Sequence, residues 1–159
     1  MSILFFDASA VVKRYVREPG SIWVRQVCRA RNEDGSRLNA VAIAEISRVE
    51  VAAAFAVLVR RNEISANLRE RAYKQFTDEI EEEYHLVRLT AEILSSAAEL
   101  TQRHPLKAYD AVQLAVALAF QESLKGANLS VTLVSGDDRL LQAATAEGLE
   151  TDNPFSHAN

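Results

Sequence analysis

The sequence predicts an α/β domain in which a parallel sheet is covered by helices on both faces. Three observations predict it. Short apolar runs alternate with longer stretches of helical spacing, as in a parallel sheet whose crossovers are helices. The first run, Ser2–Phe6, has no polar interruption after Ser2, as a strand buried on both faces reads. Acids end two of the runs, Asp7 after the first and Asp137 just past the fourth. In such sheets ligands gather at the C-terminal edge of the strands.

After Asp7, Ala8–Val16 reads as a short helix stopped by Glu18-Pro19-Gly20. Ser21 is a favoured N-cap for a helix over Ile22–Arg31. Asn32–Ser36 is a turn and Arg37–Ala42 a second strand. Helical spacing then runs from Ile43 to Arg61, where Asn62-Glu63 breaks it. Ser65 caps a helix reaching Glu83, His85–Leu89 reads as a third short strand, and Thr90 caps a helix over Ala91–Arg103 that ends at His104-Pro105. Lys107–Leu124 is the next helix. Leu129–Val134, Leu-Ser-Val-Thr-Leu-Val, is the strongest strand pattern in the chain. Ser135-Gly136-Asp137 follows it, then a helix over Asp138–Glu147 with Gly148 as its C′ residue, and a last short strand at Leu149–Thr151.

The 159 residues fit one domain spanning the chain, large enough to bury a core. With 48% hydrophobic and 25% charged residues, the composition argues against disorder. The single cysteine, Cys28, excludes an internal disulfide and a Cys-rich zinc site, and suits a reducing cytoplasm. The start lacks a basic n-region and meets an acid at Asp7, so it reads poorly as a signal peptide, and no run is long enough to span a membrane. A net charge of −4 argues against a protein that coats nucleic acid nonspecifically. It leaves room for a nuclease, because acids clustered around a cation supply part of that charge.

Four acids stand out. An acid abutting the apolar run Ile3–Phe6 is costly to bury unless paired or bound to a cation, so Asp7 is either a site residue or a helix cap. Glu50 interrupts a stripe formed by Ile46, Ala53, Ala54 and Val57, and an acid facing a core needs a partner, a buried arginine or a metal. Glu45 lies about 140° away around the helix, in a first turn where the dipole alone favours an acid. Asp110 sits in the first turn of a helix that is nearly apolar through Phe120. Asp137 and Asp138 open the helix after the fourth strand, one of them as N-cap, with Ser135 as an alternative cap. Taken together the four suggest one carboxylate cage, and oxygen-only ligands suit Mg²⁺ or Mn²⁺. Such ions activate water and stabilise phosphoryl oxygens.

Other features read as ordinary. His85, His104 and His157 lack zinc-ligand spacing and read as surface residues. The run Asp78–Glu83 reads as a solvated helix face. Arg29, Arg31, Arg60 and Arg61 read as surface charge, with RNA phosphates as the alternative.

Four blocks resemble the PIN-domain family, and within it the VapC-type toxins of type II toxin–antitoxin pairs. They are Phe5–Tyr15 with Glu18-Pro19-Gly20-Ser21, Ile46–Ala54, Ala108–Ala115, and Val134–Leu141 followed by Ala144 and Glu147-Gly148-Leu149. The second block places the family's helical glutamate on Glu50, and the pattern Ser-x-Asp-x-x-Leu places the fourth acid on Asp137. The resemblance implies a three-layer α/β/α sandwich and hydrolysis of single-stranded RNA with one or two Mg²⁺ or Mn²⁺ ions. It also implies a homodimer and a small VapB-like antitoxin as partner. The catalytic and metal-binding set is then Asp7, Glu50, Asp110 and Asp137, with Ser9 and Ser135 orienting the acids. Two other readings remain. Asp7-x-Ser9 after a strand also fits a haloacid-dehalogenase-like phosphohydrolase, although that chemistry usually wants an acid where Ser9 stands. A module that binds RNA or protein without cutting, through the alanine-rich helix Ile43–Arg61, is the non-enzymatic alternative.

Overall fold

The computed structural model describes residues 1–157. In chain order the elements are β1 (Ser2–Phe6), α1 (Ala8–Tyr15), α2 (Ser21–Arg29), β2 (Asn39–Ala44), α3 (Ser47–Arg60) and α4 (Ala66–Glu83). Then come β3 (His85–Val87), α5 (Ala91–Arg103), α6 (Ala108–Ser123), β4 (Val131–Val134), α7 (Asp138–Ala146) and β5 (Glu150–Asp152). Short 3-10 turns occupy Lys125–Ala127 and Pro154–His157. The strands form one parallel sheet in the order β3-β2-β1-β4-β5.

Strand alternation sorts the core into two halves. Leu4 and Phe6 of β1, with Val41 and Ile43 of β2, pack against α1, α2, α3 and α4. Phe5, with Ala42, Ala44, Val131 and Leu133, packs against α5, α6 and α7. The result is the expected α/β/α sandwich. Phe5 and Phe6 are fully buried on opposite faces, and each such side chain contributes about 1.5–3 kcal/mol through burial. This is why β1 is apolar at consecutive positions.

The order of strands positions the site. From β1 the chain builds outward to β2 and β3, then crosses back to β4 on the other side of β1. The switch point therefore lies between the C-terminal ends of β1 and β4, where a crevice opens. Asp7 and Ser135 are the first residues beyond those two ends. The Asp7 N–H donates to the Val134 carbonyl at 3.1 Å, which ties the two ends together.

Several boundaries differ from the sequence reading. The N-cap of α2 is Gly20, not Ser21. The Ser21 hydroxyl instead donates to the Val16 carbonyl and accepts the Glu18 N–H, both at 2.9 Å. Gly20 has φ +87°, and a Cβ there would lie 2.7 Å from the Pro154 carbonyl oxygen, so only glycine fits. β2 begins at Asn39, because Arg37 bridges Arg31 and the Leu38 N–H donates to Ala30. Ile43 and Ala44 extend β2, and α3 starts four residues later than the spacing suggests. An apolar run does not by itself distinguish strand from helix. The turn Pro154–His157 was not expected. Part of the acidic run is not solvated: the Tyr15 hydroxyl donates to Glu79, and Arg14 bridges Glu79 and Glu83, which fastens α1 to α4. Among the described residues no helix is long and apolar enough to cross a membrane.

Candidate active site

Asp7 caps α1: its Oδ1 accepts the Ala10 N–H at 3.0 Å. The bland reading of this residue is therefore correct as far as it goes, but the cap is only part of its environment. The Ser9 hydroxyl donates to Oδ1 and the Ser135 hydroxyl to Oδ2, each at 2.6 Å. Ser9 in turn accepts the Gly136 N–H, and Ser135 accepts the Asp137 N–H. The loop after β4 is thus laced to the start of α1 through the two serines. Asp7 is 5% exposed, and burial, with Asp110 adding to it, raises its pKa against the pull of these three donors.

Glu50 and Asp110 reach the same place from α3 and α6. Residues three apart share a helix face, so Ser47 and Glu50 point together, as do Asp110 and Gln113. The two pairs meet. The Gln113 amide donates to Glu50 Oε1 at 2.8 Å and to the Ser47 hydroxyl at 3.0 Å. The partner of Glu50 is therefore an amide and not the buried arginine considered above. Burial, then Asp7 and Asp110, raise the Glu50 carboxyl to about 7 despite that hydrogen bond. Asp110 is raised by burial and by Asp137, with Lys107 opposing. Asp7, Glu50 and Asp110 thus act on one another, and Asp137 acts on Asp110.

The rival acids lie elsewhere. Glu45 precedes α3 and accepts the Leu89 N–H at 2.9 Å, so its role is to hold the turn after β3. Asp137 is itself the N-cap of α7, accepting the Arg139 and Leu140 N–H groups, while Asp138 is exposed and accepts from Asn153. Ala53, assigned above to the buried stripe, is exposed, and the core stripe of α3 is Ser47, Val51 and Phe55. The histidines are engaged away from the acids: His104 with Glu147, His157 stacked on Trp23, His85 stacked on Phe120.

Sequence reasoning missed Gln113 and Ser47. Gln113 is 1% exposed, and its Oε1 finds no donor among the described residues. Its signal was present, as the one polar side chain in the apolar run Ala111–Phe120.

Acids converging on the switch point of a parallel α/β/α sandwich define a candidate carboxylate-centred site. The PIN domain family matches residues 4–146, and the chain belongs to that family. PIN domains are generally nucleases that use divalent metal ions. Two solved structures share the fold. FitAcB from Neisseria gonorrhoeae matches with a TM-score of 0.60 at 13% identity, over 96% of this chain and 98% of that one. PAE2754 from Pyrobaculum aerophilum matches with a TM-score of 0.61 at 15% identity, over 98% of this chain and 93% of that one. Among curated proteins none matches.

Among the described residues, no three His, Cys, Asp or Glu side chains stand close enough to enclose a metal ion. The donor set nonetheless fits Mg²⁺, which keeps several waters and is held through one or two carboxylates rather than by a full protein cage. Acids that raise one another's pKa gain from a nearby cation.

The raised Glu50 pKa has a measurable consequence in metal-free protein. Between about pH 4.5 and 7 the folded state holds a proton that the unfolded state has lost, so stability falls as pH rises through this window and levels off above it. After allowance for solvent screening of a partly exposed group, the loss is roughly 1–2 kcal/mol. Urea midpoints at pH 5 and pH 7.5 should show this fall, and Glu50→Gln should shrink it. An equal fall in that variant would mean Glu50 is not the group responsible.

Proposed function

We propose that the protein is a Mg²⁺- or Mn²⁺-dependent endoribonuclease, the toxin of a toxin–antitoxin pair, acting in the cytoplasm as one nuclease domain over residues 1–159. The observation that supports the reading is the electrostatic influence of Asp110 on Asp7, of both on Glu50, and of Asp137 on Asp110, beside the C-terminal ends of β1 and β4. Asp7 and Asp110 would bind the ion directly, with Glu50 and Asp137 completing the set through water. When bound, the ion supplies Lewis acidity toward a phosphoryl oxygen and toward water.

The chain's own residues do the rest. Ser9 and Ser135 fix both oxygens of Asp7 and leave it free to point only one way. Gln113 holds Glu50 toward the crevice. Glu50, with Oε1 held by Gln113, is placed to take a proton from the attacking water at Oε2 and pass it on. The toxin assignment rests on the four sequence blocks shared with VapC-type proteins. By the same resemblance the partners would be RNA, a small VapB-like antitoxin covering the crevice, and a second copy of the chain.

The test is direct. Purified protein incubated with single-stranded RNA and Mn²⁺ should yield internal cuts, and EDTA should stop them. RNA left intact under both conditions would refute the ribonuclease reading.

A further inference from the structure

Beside the acids lies a groove that shares Ser9 and Asp137 with the hydrolytic centre and extends well beyond them. The groove, of about 570 Å³, is lined by Val12, Ala54, Val57, Leu58 and Phe155, and it also includes Ser9, Gly136 and Asp137. Its volume lies within the ~300–1,000 Å³ of small-ligand sites. Its exposed wall is mostly apolar, with Lys13, Glu18 and Asp138 at its polar margin, and Ser9 connects it to Asp7. Arg61 stands exposed among its lining residues.

Phe155 is placed with unusual care for a side chain that is 47% exposed. The turn carrying it is anchored by Pro154 against Gly20. Lys13 Nζ lies 4.1 Å from the ring centroid, and Lys13 is itself buried and paired with Glu18 at 2.7 Å. Gly136 lets the ring close in, because a Cβ there would lie 2.9 Å from Phe155 Cε2. The same Gly136 donates its N–H to Ser9, which holds Asp7. An exposed aromatic ring is thereby packed on a glycine that lies two hydrogen bonds from Asp7.

We propose that this groove seats one nucleobase of single-stranded RNA, from a nucleotide flanking the cut, stacked against Phe155 while Arg61 meets a backbone phosphate. Unpaired bases are read by stacking on aromatic side chains, and the cation beside the groove complements the backbone. An apolar site continuous with the phosphodiester-cleaving acids favours a base over a side chain of a protein partner. This inference rests on the ribonuclease reading above.

The experiment compares wild type with Phe155→Leu and Phe155→Trp on single-stranded RNA whose cut has been mapped, with each nucleotide near the cut made abasic in turn. In wild type, one abasic position should raise KM about tenfold, the size expected for one base–aromatic stack. Phe155→Leu should raise KM on intact RNA by a similar factor, leave kcat nearly unchanged, and show no further loss at that position. Phe155→Trp should restore binding. Cleavage and base preference unaffected in Phe155→Leu would overturn the proposal and leave the groove to a protein partner. Equal sensitivity of both proteins to every abasic position would overturn it as well. If wild type cuts no RNA, the nuclease reading fails, and 2-aminopurine-containing RNA still decides the groove. Quenching by wild type but not by Phe155→Leu supports it, and no quenching by wild type overturns it.

Discussion

Asp7→Asn should lower the RNA-cleavage rate by at least about a hundredfold while leaving the protein as stable as wild type or more so. Loss of groups that merely orient metal ligands costs ~10–100-fold, and removal of a ligand charge should exceed that. The stability side is the sharper test. Asp7 is buried and its pKa is raised, so at neutral pH its ionised form destabilises the metal-free fold. Asparagine keeps the shape and can still accept from Ala10 and Ser9 through its carbonyl. Its amide can face Ser135 where Oδ2 now accepts. A structural Asp7 whose charge holds the loop together would behave differently: the melting temperature would drop, and cleavage would fall only as far as folding does. Full activity in Asp7→Asn would remove Asp7 from the reaction. Circular dichroism melts and single-turnover cleavage on the same preparation separate these outcomes.

Mn²⁺ or Mg²⁺ should raise the melting temperature of the wild-type protein by several degrees at pH 7.5. An ion at a hundred times its dissociation constant stabilises the fold by about 2.7 kcal/mol, and each kcal/mol moves the midpoint of a domain this size by ~2–4 °C. The effect should shrink toward pH 5, because protons compete for carboxyls whose pKa values are already raised. It should be nearly absent in Asp7→Asn/Asp110→Asn. Calcium and potassium provide controls for ion size and for screening by salt. If Mn²⁺ leaves the wild-type melt unchanged at pH 7.5, the four acids do not form a cation site.

The legible part of the site was the part written in local pattern. Asp7 announces itself because an apolar strand stops on an acid. Glu50 does so because a carboxylate sits near the buried side of a helix, whereas Glu45, which the spacing puts on the same helix, lies in the turn before α3. The same local pattern failed to identify the partner of Glu50. Gln113 is 63 residues away, and nothing in the spacing of either helix says that their polar faces meet. Asp137 was separable from Asp138 only through the resemblance to a family. In the fold the distinction is physical: one carboxylate caps α7 and acts on Asp110, and the other stands in solvent bonded to Asn153.

Boundaries were lost for a related reason. Asn39–Ala44 is strand because it pairs with β1 and β3, and no propensity within Arg37–Ile46 could announce those neighbours. The same holds for Glu79 and Glu83, which read as solvated until Arg14 and Tyr15 arrive from α1.

By itself the sequence determined that the chain alternates strands and helices, that β1 is buried on both faces, and that acids end its first and fourth strands. Those are consequences of hydrophobic period and of the cost of burying charge, which act within a few residues. Tertiary structure alone decided that β4 returns to the far side of β1. That brings Asp7 and Ser135 within hydrogen-bonding distance across 128 residues of chain. It also decided that Gln113 holds Glu50 and that Phe155 comes to rest over Gly136. These depend on which faces pack together, and that is settled by burial over the whole chain rather than by any local stretch of it.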